Sequence, residues 1–405
     1  MSSHNDRDPG LSLLGRNVVV ASRIYLPEPG AASLRLAALS RGLRNAGAKV
    51  TVVTSTPPGD YAQPVADHDG IRIHRARVLR DRLGYVRGYV QYMSFDVPLF
   101  FRLLLMRNID AVVVEPPPTT GLVVRVVCAL RRIPYVYYAA DLWADAVEST
   151  NSPRVVARVV RALESFSLRG AAAVLSVSAP VTERLMELEP GLSPVTIGNG
   201  VDTTVFSPHG SRHEAEPAYL LYAGTASEVH GATVFMEAFQ RVRETIPAAR
   251  LVFVGQGAER DELEAAAKRF PEDAVTFVSR VPPEEAAHWI RGARATLASV
   301  KPGAYTIGFP TKIFASIACG IPVIYAGEGI GRDFSIENDI GWAVDYSAPD
   351  VADAMISALG GEFLEAHGSR LAALARDEIS LTAVASRASD VVGIALLQSR
   401  RGSVG

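Results

Sequence analysis

Residues 17–54, NVVVASRIYLPEPGAASLRLAALSRGLRNAGAKVTVVT, decide the fold. The run NVVVA at 17–21 is short, apolar and rich in β-branched side chains, and reads as a strand buried on both faces. Segment 33–46, SLRLAALSRGLRNA, repeats its apolar positions at helical spacing, and Gly47 stops it. KVTVVT at 49–54 is the next strand. A strand, a helix and a strand in immediate succession imply a parallel pair, because the return path must cross one face of the sheet.

The same grammar repeats outward from this unit. Strand 111–114 (AVVV) is followed by helix 120–131, strand 135–139 (YVYYA), helix 153–168, strand 172–177 (AAVLSV) and helix 179–188. Residues 189–218 interrupt it with Pro190, Pro194, Pro208, Pro217 and the polar stretch SPHGSRHEAEP. The alternation then resumes: strand 219–223 (YLLYA), helix 231–245, strand 250–254 (RLVFV), helix 258–269, strand 274–278, helix 283–292, strand 294–299, helix 310–318 and strand 322–325. We expect an α/β protein of two tandem, doubly wound parallel-sheet domains, 1–205 and 206–380, facing a cleft. The last helical segment, 381–400, is expected to pack back on the first domain.

Composition bounds the function. The chain has 405 residues, 48% hydrophobic, with 41 basic and 43 acidic side chains and a formal net charge of −2. That share of apolar residues excludes wholesale disorder, and near-neutrality argues against a nucleic-acid partner. Two cysteines, Cys128 and Cys319, exclude a disulfide framework or a multi-cysteine metal site. The polar start MSSHNDRDPG lacks an apolar signal core, and no stretch has the roughly 20 apolar residues of a membrane span. The expectation is a soluble cytoplasmic enzyme. Only four of the basic residues are lysines: Lys49, Lys268, Lys301 and Lys312.

Ligands of such sheets bind beyond the carboxyl ends of the strands, so the loops that follow strands hold the candidates. In 22–35, SRIYLPEPGAASLR, Gly30 and Ala31 bare the backbone amides of a helix start, which suits an anion or nothing more than a turn. Asp141, in AADLWAD at 139–145, suits a substrate hydroxyl, but a helix N-cap is the favoured local reading. The Asn199-Gly200 turn of IGNGVDTTVF allows close backbone approach to a ligand or serves as a connector. YAGTASEVHG at 222–231 offers Thr225 and His230. The densest signal is VKPGAYTIGFPTKIFASIACGIPVIY at 300–325, where Gly308, Phe309, Pro310 and Thr311 lead into a helix. Lys312 in that first turn opposes the helix dipole, an objection that a bound anion would remove. Asp67-His68-Asp69 reads as a turn rather than a metal motif. Residues 72–107, with eight arginines among apolar residues, could dock on an anionic membrane, but a solvated helix face with apolar residues turned inward is the favoured reading.

Taken in order, GNGVDTTVF, YAGTASEVHG, LVFVGQGAERDELE and GFPTKIFASIACGIPVI resemble the family 4 glycosyltransferases over nearly the whole chain, and AADLWADAV and EPPPTTG resemble one subgroup of them. The resemblance implies the GT-B fold of two Rossmann-like domains and retaining, metal-independent, cofactor-free transfer from a UDP- or GDP-sugar. From it together with the loops read above, we expect a donor set of Gly30, Ala31, Asn199, Thr225, His230, Arg280, Gly308, Phe309, Pro310, Thr311 and Lys312, in which Lys312 supplies the main diphosphate charge. Also expected is an acceptor set of Glu28, Arg35, Asp141 and Trp143, with Asp141 and Lys312 as catalytic candidates. The family's paired glutamates fall here on Ile307 and Ala315, and its arginine and lysine at the opening of the second domain fall on Thr225 and His230, so both pairs are missing. Pro310-Thr311-Lys312 matches a subgroup pattern that replaces them. The acceptor expected is a small specialised metabolite, such as a thiol or aminocyclitol, rather than a lipid-linked glycan. Membrane-surface contact and a homodimer stay open. The alternatives are a sugar-nucleotide epimerase of the same fold and a non-catalytic nucleotide-sugar-binding homologue.

Overall fold

The computed structural model describes residues 13–28, 30–59, 70–81, 86, 88–148, 153–214, 217–303, 310–361 and 365–401. The chain divides into two compact units, Met1–Asn199 with Leu381–Gly405, and Gly200–Ser380.

The first unit contains strands β1 (Asn17–Ala21), β2 (Lys49–Ser55), β3 (Arg72–Ala76), β4 (Ala111–Val114), β5 (Tyr135–Ala139), β6 (Ala173–Ser176) and β7 (Val195–Thr196). They form one sheet in the order β3-β2-β1-β4-β5-β6-β7, every pair parallel. Val18 sits beside Val50 on one side and Ala111 on the other. Helices α1 (Ala31–Asn45), α2 (Tyr89–Leu105), α3 (Pro118–Arg131), α4 (Trp143–Glu148), α5 (Arg154–Arg169) and α6 (Ala179–Leu188) connect the strands. The β-branched centres of β1, β2 and β4 are buried because helices cover both faces, which is why these runs do not alternate with polar residues.

The second unit repeats the plan. Strands β8 (Tyr219–Ala223), β9 (Arg250–Val254), β10 (Val275–Val278), β11 (Ala295–Ser299), β12 (Val323–Ala326) and β13 (Gly341–Val344) form a parallel sheet in the order β10-β9-β8-β11-β12-β13. Helices α7 (Thr233–Thr245), α8 (Arg260–Ala267), α9 (Pro283–Gly292), α10 (Lys312–Ala318), α11 (Ile330–Glu337), α12 (Ala348–Leu359) and α13 (Glu365–Glu378) accompany it. Its core joins Leu220, Tyr222, Phe235, Phe239, Leu251 and Phe253. The final helix, α14 (Leu381–Arg401), lies against α1. A Cβ at Gly42 would stand 3.0 Å from the Ala385 Cβ and from the Ser389 Oγ, so the glycine sets how closely these two helices approach.

In both sheets the strand order reverses once, between β1 and β4 and between β8 and β11. The crevice beyond the carboxyl ends of those strands is where an open α/β sheet accepts ligands.

One expectation is corrected here. The segment 72–107 does not form a solvated face with its apolar residues inward. Helix α2 buries Phe95, Asp96, Leu99 and Leu103, yet Val90, Met93, Val97, Phe101 and Leu104 are exposed. The sequence YVQYMSFDVPLFFRLLL is apolar nearly all round, and only part of that circumference meets the fold. Asp67-His68-Asp69 lies outside the described residues.

Candidate functional site

At the switch point of the second unit, β8 ends in Tyr222-Ala223 and the chain turns at Gly224 into the loop 225–231. Lys312, the first residue of α10, lays its stem over Gly224, where an added Cβ would come 3.6 Å from the Lys312 Cε. Its ammonium stands 3.9 Å above the Tyr222 ring centroid and donates to the Tyr222 hydroxyl and, at 3.4 Å, to the Thr225 carbonyl. The Tyr222 hydroxyl in turn donates to that same carbonyl at 3.0 Å. Burial pulls the Lys312 amine from its usual 10.5 down to about 7, against the opposing charge of Glu259. Near neutrality this amine is therefore poised between its charged and uncharged forms.

The loop carrying Thr225 is fixed from both sides. Ala226 N donates to the Gln256 carbonyl at 2.9 Å, and Gly224 N to the Val254 carbonyl at 2.8 Å. Gly257 sits at φ +153°, and a Cβ there would fall 1.9 Å from the Ala226 oxygen, so only glycine permits this backbone crossing. The Glu259 carboxylate accepts from Ala232 N at 2.8 Å, satisfying an amide at the approach to α7. Burial holds its pKa above the usual value, opposed by that amide.

His230 is held by a contact of 2.7 Å between its Nδ1 and the Ser227 Oγ, while its carbonyl accepts from the Ser299 Oγ at 2.7 Å. Lys301 N donates to the Val229 carbonyl at 2.9 Å, so the loop after β8 is tied to the end of β11. Burial lowers His230 from 6.5 to about 4, and the Lys312 charge adds to the effect. The imidazole is thus a neutral hydrogen-bonding group at ordinary pH, not a second cation. Thr225 is exposed and gives Lys312 its carbonyl rather than its hydroxyl. Pro310 is buried and Thr311 is the residue before α10, while Gly308, Phe309 and Ile307 lie outside the described residues. Arg280 is exposed between β10 and α9, and among the described residues no hydrogen bond or ion pair joins it to this set.

At the switch point of the first unit the elements converge in the same way. Arg35 of α1 forms an ion pair with Glu115, the residue after β4, and both side chains are almost fully enclosed. The guanidinium also lies 5.3 Å from the Tyr138 ring centroid. Burial lowers the Arg35 pKa, but the neighbouring carboxylate more than reverses this, so it ends above the usual value. Glu115 Oε2, Arg35 Nε and the Tyr138 hydroxyl are buried without a hydrogen-bond partner among the described residues. Glu28 is held by Arg80 through contacts of 3.0 and 2.8 Å. Arg23 stacks 5.1 Å from Tyr92 and 5.9 Å from Trp143, and donates to the Val86 carbonyl at 2.7 Å. Gly30 and Ala31 are exposed at the start of α1, and Asn199 is half-buried at the end of the first unit.

The expected capping role of Asp141 is overturned. Glu164 on α5 accepts from the backbone amides of Trp143 and Ala144 at 3.0 and 2.9 Å, and so satisfies the first turn of α4. Asp141 is left exposed, with its charge acting on Arg35 and Glu115. Tyr222, Ser227, Glu259, Glu115 and Arg23 were not singled out by the sequence. Tyr222 reads as one more apolar strand residue, and Glu115 and Glu259 gain meaning only from the partners the fold brings to them.

Residues 30–200 match the family model "Glycosyl transferase 4-like domain", and residues 217–360 match "Glycosyl transferases group 1". The chain belongs to the glycosyltransferases. A glycogen synthase of Mycobacterium tuberculosis is 29% identical over 177 residues, which is 43% of this chain and 42% of that protein. The chain thus spans less than half the length of that curated relative. Among solved structures, a sucrose-phosphate synthase from Thermosynechococcus elongatus superposes with a TM-score of 0.67 at 18% identity, covering 96% of this chain and 100% of that one. An Anabaena protein solved in complex with UDP and glucose gives 0.65 at 14% identity, covering 94% and 100%. At those identities the likeness establishes the GT-B fold of this glycosyltransferase, and the chemistry must be argued from its own residues.

Proposed function

We propose that this protein is a retaining glycosyltransferase that moves a sugar from a UDP- or GDP-sugar to a hydroxyl, amine or thiol of a polar acceptor. The observation that carries the donor half is the Lys312 ammonium at the switch point of the second sheet, over Gly224 and beside the Tyr222 ring. Lys312 would meet the diphosphate. When the bond between the sugar and the diphosphate oxygen breaks, negative charge grows on the leaving oxygen, and a cation already in place stabilises it without reorganisation. Thr225, Thr311 and the neutral His230 would add hydrogen bonds, and Gly30, Ala31, Asn199, Arg280, Gly308, Phe309 and Pro310 complete the proposed donor set. The transfer would need neither metal nor cofactor, since the leaving phosphate takes up the acceptor's proton on the face it departs from. Retention of configuration follows from that same-face course and rests on the family resemblance.

The acceptor half rests on the first unit. Exposed Asp141, the Arg35–Glu115 pair with its unpartnered buried oxygen, Glu28 and Trp143 are the charged, hydrogen-bonding and aromatic groups proposed to meet the acceptor. Such a set suits a polyol or aminocyclitol, the small-metabolite class expected from sequence. Asp141 is proposed to orient the attacking group by accepting its hydrogen bond. The experiment is to incubate the protein with UDP- or GDP-glucose and a panel of polyols and aminocyclitols, and to read the anomeric configuration of the product by NMR. A product with the donor's configuration supports the reading. An inverted product, or an isomerised nucleotide sugar with no transfer, contradicts it.

A further inference from the structure

We propose that the outward face of helix α2 docks this protein on a bilayer containing anionic lipid. The exposed residues Val90, Met93, Val97, Phe101 and Leu104 recur at intervals of three and four, which places them on one side of the helix. Val90 is 65% exposed, Phe101 55% and the terminal Leu105 76%. Isolated exposed apolar residues are ordinary, but a continuous stripe along a 17-residue helix marks a surface with a partner.

The charge around the stripe points to the nature of that partner. Arg72 and Arg77 precede the helix, Arg107 follows it, and all three are exposed. The acidic residues among the described positions of 70–110 are withdrawn: Asp96 is buried against Thr120, Asp81 is half-buried, and Asp110 pairs with Arg16. Among the described positions of 70–110, the exposed charges nearest the stripe in sequence are thus basic, which complements an interface of acyl chains under anionic headgroups. A second copy of this chain fits less well, because a two-fold contact through the stripe would bring one arginine border against the other. Helix α3 contacts both α2 and α5, and α5 continues the pattern with exposed Val155 and Val159, each directly after an exposed arginine, Arg154 and Arg158.

The same helix reaches the ligand edge of its unit. Tyr92, on α2, stacks with Arg23 and meets Trp143 edge-on at 6.0 Å. Docking α2 would therefore hold the Arg23–Trp143 cluster next to the headgroup layer. The inference does not depend on the proposed transfer reaction, since binding to lipid requires no sugar nucleotide.

The test is co-sedimentation of the full chain with phosphatidylcholine vesicles containing about one quarter phosphatidylglycerol, against vesicles of phosphatidylcholine alone. Binding is expected with the anionic vesicles and should weaken as salt rises from about 0.1 M to about 0.5 M. The double variant Val97→Glu, Phe101→Glu should lose roughly tenfold or more of the partitioning, because the interface then admits two charges where apolar groups entered. Both positions are exposed, so the melting temperature should be that of the parent, and a matched melting curve shows that the loss is not unfolding. No partitioning onto anionic vesicles, or equal partitioning by parent and variant, would overturn the proposal. So would a concentration-dependent dimer of the parent in lipid-free buffer that the variant abolishes, since the stripe would then belong to a second copy.

Discussion

The Lys312 ammonium and the Tyr222 ring form a cation–π pair at 3.9 Å, closed by a hydrogen bond from the amine to the phenol oxygen. The ring and the Thr225 carbonyl occupy part of the amine's bonding capacity, and its three protons leave room for an oxyanion. Lys312→Ala should therefore raise the donor KM by roughly a hundredfold, about 2–3 kcal/mol for a charge-assisted contact in a partly enclosed site. Tyr222→Phe keeps the ring and loses only the hydroxyl, so its donor KM should rise by no more than about tenfold. Equal losses in the two variants would mean that the tyrosine, not the lysine, contacts the donor.

The pH dependence of donor binding follows from the same pair. The free enzyme's amine titrates near 7, and a bound diphosphate would favour its charged form. Binding should thus take up a proton, and affinity should fall as pH rises above 7. Calorimetry of UDP binding at neutral pH in buffers of different ionisation heat measures that uptake. Lys312→Arg, which stays charged, should abolish the pH dependence above neutrality.

His230 gives an acid-stability prediction of known sign. Its value is lowered from 6.5 to about 4, so between those pH values the unfolded chain binds more protons than the folded one. Stability should fall as pH drops from about 6.5 to 4, and His230→Asn should show a shallower loss of melting temperature across that window. Lys312 acts in a higher window, since its lowered value makes stability rise with pH between about 7 and 10.5.

The Arg35–Glu115 pair is enclosed, so breaking it leaves an uncompensated charge. Glu115→Gln should destabilise the protein by about 3 kcal/mol, readable from denaturant midpoints. Exposed Asp141→Asn should leave stability within about 0.5 kcal/mol and lower turnover instead. A large stability loss in Asp141→Asn would assign that residue a structural role.

Gly257→Ala tests the loop that shapes the donor edge. A Cβ 1.9 Å from the Ala226 oxygen cannot be accommodated without moving the backbone that carries Thr225. A loss of about 2 kcal/mol or more and a raised donor KM are expected together. Parent-like kinetics would show that the loop geometry does not matter to donor binding.

The α/β class and both parallel sheets were legible because the strands are buried on both faces and read as unbroken apolar runs, as in NVVVA and RLVFV. Lys312 stood out in the sequence because a cation in a helix's first turn is locally unfavourable, and the structure seats it over Gly224 beside the Tyr222 ring. Tyr222 was not, because its role depends on a residue 90 positions away. Asp141 was misread for a similar reason: the carboxylate that caps α4 comes from Glu164, some 20 residues downstream on another helix. Helix α2 was misread because an almost wholly apolar sequence does not reveal which of its sides the fold covers.

The central claim is that Lys312 holds a nucleotide diphosphate, and the most direct measurement is isothermal titration of UDP into the parent protein and into Lys312→Ala at pH 7. The account predicts binding by the parent and a roughly hundredfold weaker interaction in the variant, with both proteins folded at the titration temperature. Equal affinities in the two proteins, or no binding of UDP, GDP or their sugars by the parent, would contradict it.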